Sequence, residues 1–135
     1  LWGASHYSFE DKDLDKALVY SDKALEIHGA EARSIQASLS SFPVTDPPES
    51  TFKYNTLNNV ALTTLIKGEV LLEKGDQAGA ENAFNMVIRD FGYAQVQDLG
   101  EWQDYAANVP RDPRGFVKLA DVAKQRLSEI EDGKN

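Results

Sequence analysis

The stretch from Ala61 to Gly92, reading ALTTLIKGEVLLEKGDQAGAENAFNMVIRDFG, most constrains what this chain can become. Leu65, Gly68, Leu71 and Leu72 recur at helical spacing, and so do Ala80, Ala83, Phe84, Val87 and Ile88. Between the two sets stands Lys74-Gly75-Asp76. Glycine takes the left-handed conformation that ends a helix, and the aspartate after it is suited to cap the next one. Gly68 and Ala80 carry little side chain, which predicts a close backbone approach, with Phe84 filling the space beyond it. Two helices of about 14 residues around a tight turn make a helical hairpin of about 34 residues.

The rest of the chain extends the helical pattern. Leu14, Leu18, Ser21, Leu25, His28, Ala32, Ile35, Leu39 and Phe42 step by threes and fours without a phase break. This predicts one helix from about Asp13 to Ser41, about 43 Å long at 1.5 Å per residue. Gly29 costs about 1 kcal/mol within it relative to alanine. A break there into a hairpin is the alternative, but a turn of several residues would not preserve the phase. The prolines of the 43–50 segment make a connector. Further helices are expected over about 51–74 and 77–91. A linking region over 92–111 is expected to hold a short helix near 99–108. A last helix is expected to open at Asp112-Pro113, a cap followed by proline, with Phe116, Leu119, Ala120, Ala123, Leu127 and Ile130 on one face. Residues 132–135 read as a frayed tail, and little of the sequence reads as strand. The expectation is one all-α domain over residues 1–135, with a long first helix and a C-terminal capping helix.

Composition narrows the function. Apolar residues at 41% and charged residues at 27% suit a globular domain with a real core. No apolar run approaches 18 residues, so no spanning helix is expected. The absence of cysteine excludes disulfides and thiolate metal sites. The net charge of −8 argues against nucleic acid, whose phosphates are bound by clustered cations. Only Arg111, Arg114 and Lys118 gather locally, as a solvated surface does. A protein or peptide partner, basic in character, fits the charge better. Leu1 is not a natural initiator, so the chain reads as a processed product or a fragment.

The residues resemble the tetratricopeptide repeat. Gly68, Leu71, Gly75-Asp76, Ala80 and Phe84 hold that pattern's places, Val87 stands at a usual alanine, and Gly92 stands where proline often closes the repeat. Thr64 and Lys67 depart from the pattern, at a common tryptophan and a usual leucine. Residues 13–28 look like the second helix of another repeat, with Ala17 and Ala24 at the small positions. More distantly, Tyr93-Ala94-Gln95 and Asp112-Pro113-Arg114-Gly115-Phe116, with the hairpin, are similar to a group of bacterial tetratricopeptide-like proteins often labelled beta-glucanase precursor. This chain departs by placing Val96 to Arg111 between those two motifs. The resemblance implies a bacterial chain and leaves its compartment open between cytoplasm and, if a signal segment was removed before Leu1, periplasm.

What the resemblance implies for function divides in two. Repeats of this type expose the inner face of each first helix as a shallow groove. Transferred to the matching positions, that groove is Leu62, Leu65, Glu69 and Leu72. Three bare leucines form a patch that a monomer seldom tolerates. Either the long first helix covers them as core, or a partner or a second copy does. The leading expectation is therefore a non-catalytic interaction or scaffold module without cofactor or metal, with a homo-oligomer through the 14–42 stripe as a further reading.

The glucanase label implies a glycosidase, which needs two suitably spaced carboxyl groups. Glu69 and Glu73 lie four apart on one helix, a spacing equally common on a solvated face. Glu101-Trp102-Gln103-Asp104-Tyr105 is the better candidate, because Trp102 and Tyr105 can stack on a sugar ring beside acids, although both also serve as core anchors. This carbohydrate-directed reading is the alternative. His28, on the apolar stripe, is expected to be a hydrogen-bonded core residue, and His6 is the other histidine. Asp11, Asp13 and Asp15 lack the glycine and glutamate that a calcium loop needs.

Overall fold

A computed structural model describes residues 12–43, 54–97, 109–113 and 115–133. Helix α1 spans Leu14–Ser38, α2 Asn55–Glu73, α3 Gln77–Asp90 and α4 Leu119–Gly133. Two short strands, β1 (Gln95–Val96) and β2 (Val117–Lys118), complete the elements. The architecture is all-α. Each helix packs against the next in chain order, and α4 also reaches α2.

Helix α1 is continuous through Gly29. Asp13 caps it, accepting from the Lys16 N–H at 3.2 Å. Its buried face is made of small residues, Ala17, Ser21, Ala24, Gly29 and Ala32, which allow close approach of α2. Leu14, Leu18, Leu25, Ile35 and Leu39 border that face. His28 is exposed, contrary to expectation. In the second half of α1 the buried positions are Gly29 and Ala32, and Arg33 there reaches Asp90 at 3.4 Å and stacks over Phe91. The inward face has rotated past position 28. Ion pairs join the opposite ends of α1 and α2, Lys12 to Glu73 at 3.0 Å and Asp15 to Lys74, with Asp22 and Lys67 paired at 2.7 Å between them. The two helices are therefore antiparallel.

The α2–α3 hairpin forms as its sequence dictates. Gly75 has φ +85°. Its N–H donates to the Leu72 carbonyl at 3.0 Å, and the Asp76 N–H donates to the Leu71 carbonyl at 2.8 Å. This pair of bonds is the Schellman closure of α2. The Asp76 side chain then accepts from the Gly79 N–H at 2.9 Å and caps α3. What fills the notch at Gly68 is the Phe84 ring. A Cβ at Gly68 would lie 2.5 Å from Cε1 and 2.7 Å from Cζ of that buried ring. Helix α2 is covered on nearly every side, with Thr63 and Thr64 in the interior donating to the Asn59 and Val60 carbonyls four residues back.

The C-terminal part departs from expectation in one respect. The last helix opens at Leu119, and Asp112 starts a turn. The Asp112 carbonyl accepts from the Gly115 N–H at 2.8 Å, and its carboxylate accepts from the Phe116 N–H at 3.0 Å. Gly115 has φ +88°, which a continuing right-handed helix excludes. Val117 and Lys118 are extended and pair antiparallel with Val96 and Gln95. Phe116 is thus on the turn and not on the helix face. The Leu119 N–H donates to the Ala94 carbonyl at 3.1 Å as α4 begins.

Candidate functional site

The candidate stripe runs along α2 through Leu62, Leu65, Glu69 and Leu72. These positions are spaced three and four apart and share a face. Leu62 and Leu65 are 5% and 3% exposed and belong to the hydrophobic core. Leu72 is half-buried against that core. The stripe is closed along Leu62 and Leu65 and partly open at Leu72, so the groove is filled from within the chain.

Glu69 is the exceptional member. Its side chain is 6% exposed, and Arg126 of α4, 20% exposed, grips it with both nitrogens of its fork. Nε lies 2.5 Å from Oε1 and Nη2 lies 2.9 Å from Oε2. Arg126 also pairs with Glu129, one turn further along α4. Burial pushes the Glu69 carboxyl above its ordinary value, against the pull of the Arg126 guanidinium, while Glu129 and Glu73 add smaller upward pushes. Two-pronged recognition of a carboxylate is the geometry for which a planar guanidinium is suited.

Glu73, four residues on, is exposed and pairs with Lys12. The two acids of the candidate carboxylate pair are turned to different cations. Trp102 and Tyr105, with Glu101 and Asp104, lie outside the described residues. The ends of the segment that carries them are tied together, since Arg111 Nη1 donates to the Gln97 carbonyl at 2.7 Å and to the Gly115 carbonyl at 2.8 Å. The two motifs that Val96 to Arg111 separates in sequence are therefore neighbours in space. No group of three or more His, Asp or Glu among the described residues is placed to hold a metal ion. No described helix is long and apolar enough to cross a membrane.

Arg126 is the site residue that the sequence reading missed. It lies 57 positions from Glu69, on a helix read only for its apolar face. The one available signal was Glu69 itself, an acid on a stripe otherwise made of leucines.

No protein-family model, curated protein or solved structure matches this chain.

Proposed function

We propose that this chain is a tetratricopeptide-like interaction module that acts by binding a protein or peptide, without catalysis of its own. The recognition stripe is Glu69 and Leu72 on α2, with Leu62 and Leu65 as its buried continuation. The observation that carries the reading is the two-pronged engagement of Glu69 by an arginine on an apolar helix face. An acid flanked by leucines is suited to a basic, apolar partner, which agrees with a net charge of −8. The Schellman turn at Gly75 and the Gly68–Phe84 notch support the repeat-like hairpin.

The test is a titration of the full chain with amphipathic helical peptides of matched length, some basic and some acidic. Basic peptides bind, acidic ones do not, and Leu72→Asp abolishes binding while the melt stays cooperative. Leu72 is the position of choice because its half-buried side chain tolerates change better than the core residue Leu65. Binding that survives Leu72→Asp, or no preference for basic peptides, overturns the reading.

A further inference from the structure

We propose that the C-terminal half of α4 is a built-in occupant of the α2 stripe, latched by Arg126, and that the partner displaces it. The proposal rests on the interaction reading above and names the partner's chemistry: a helix that carries an arginine with a small residue three before it and a bulky apolar residue four after it. That is the pattern Ala123, Arg126, Ile130, which α4 itself presents.

Three observations converge. The first is Glu69. A carboxylate among core leucines gains little net stability from its pairing, because desolvation offsets most of the attraction. It does define which side chain belongs opposite it, and that position is held by a guanidinium.

The second is the difference between the halves of α4. Leu119, Ala120, Val122 and Ala123 are buried, and the Leu119 N–H is anchored on Ala94. Beyond Arg126, Leu127 and Ile130 are half-buried, while Ser128, Glu129, Glu131, Asp132 and Gly133 are exposed. The last turn carries no basic residue, and Glu129, Glu131 and Asp132 crowd toward the negative end of the helix dipole, where acids are unfavourable. This half is a weak helix by itself, held in place by the Arg126 contact together with the packing of Leu127 and Ile130 against the core.

The third is position. Leu65 and Leu72 lie one turn to either side of Glu69 on the same face. The stripe is already partly open at Leu72. Release of Arg126 frees Glu69 for a second cation while the first half of α4 stays anchored.

The test uses hydrogen exchange on the full chain, wild type against Arg126→Ala and Glu69→Gln. Amides of residues 127–133 exchange faster in both variants by about tenfold or more, the scale of a local opening eased by a lost charge-assisted contact, while α2 and α3 keep their protection. A labelled peptide with the sequence of residues 119–133, made basic by Glu129→Gln, Glu131→Gln and Asp132→Asn, binds the Arg126→Ala chain about tenfold or more tightly than it binds wild type, because the stripe is vacated. The same peptide with its arginine replaced by alanine does not bind. If Arg126→Ala fails to fold, Arg126→Lys, which keeps the charge and loses the fork, takes its place with the same expected pattern.

Unchanged exchange at 127–133, or loss of protection through α2 and α3 together, overturns the latch. Binding of a foreign basic helix with no change in exchange also overturns the latch and leaves the interaction reading standing. Local opening without any peptide binding overturns both the displaced occupant and the recognition stripe.

Discussion

At the scale of single residues, Gly68 is where the hairpin has least tolerance. Alanine is the better helix former by about 1 kcal/mol, so propensity alone favours Gly68→Ala. The added methyl would meet the Phe84 ring at 2.5 Å, however, and that ring is fully buried. Overpacking of this kind costs about 1–3 kcal/mol, which outweighs the gain. Gly68→Ala is expected to lower the urea midpoint, and Gly68→Ala with Phe84→Leu to recover part of the loss. A stabilised single variant would show that the ring moves aside freely.

Two carboxylates give opposite pH signatures. Asp90 is held below its ordinary value, first by the hydrogen bond from Arg89 and then by Arg33, against the effect of burial. Its contribution is present above the unfolded value of about 3.8 and is lost as pH falls through the folded value. Glu69 runs the other way. Its folded form takes up a proton more readily than the unfolded chain does, so its contribution is full below about 4.5 and is lost as pH rises through the folded value. Unfolding free energies measured by urea across pH 3–7 should therefore show wild type falling relative to Glu69→Gln as pH rises from about 4.5. Relative to Asp90→Asn, wild type should fall as pH drops below about 4. Parallel curves for all three proteins would contradict both assignments.

At the scale of elements, Asp76 and Asp112 show what local sequence can and cannot decide. Each aspartate reads as a helix cap, and only Asp76 is one. The difference lies downstream. Gly79 leaves room for the Asp76 carboxylate and keeps the helix, whereas Gly115 takes a positive φ and Val117 and Lys118 beyond it join a strand pair. Asp-Pro-Arg-Gly is equally the signature of a type I turn, with Asp first, Pro second and Gly fourth. Long periodic segments were legible: α1 runs through Gly29 but ends at Ser38, short of the expected Ser41 and before Leu39 and Phe42 of its stripe, and α2 and α3 fall close to where their spacing puts them. The β1–β2 pair was not, because two residues per strand carry no period. The cap at α3 yields a double-mutant test. A Cβ at Gly79 collides with the Asp76 carboxylate. Asp76→Ala should cost about 1 kcal/mol. Gly79→Ala should then gain about 1 kcal/mol when Asp76 is alanine, and clearly less in wild type. Equal gains in both backgrounds would mean that the cap and Gly79 are uncoupled.

At the scale of the whole molecule, what the sequence hides is which distant element covers which face. Leu62 and Leu65 were readable as one stripe with Glu69, but no spacing rule connects Glu69 to Arg126. The same limit applies to the apolar stripe of α1, which alone would equally suit pairing with a second copy. The structure uses that stripe internally, with Ala17, Ser21, Ala24 and Ala32 buried. Among the described residues, the large apolar side chains left exposed are Val19 at 61% and Ile27 at 54%. They are about 12 Å apart along α1, with Lys23 and Glu26 between them. A stable dimer buries about 1,200 Å² or more of total surface, and two separated aliphatic side chains per copy fall well short of an apolar centre for that. A net charge of −8 adds repulsion between copies. Light scattering should therefore give the 15.0 kDa of one chain, unchanged when salt screens the repulsion. A doubled mass that appears at high salt and vanishes in Val19→Lys would locate a self-interface on the outer face of α1 instead.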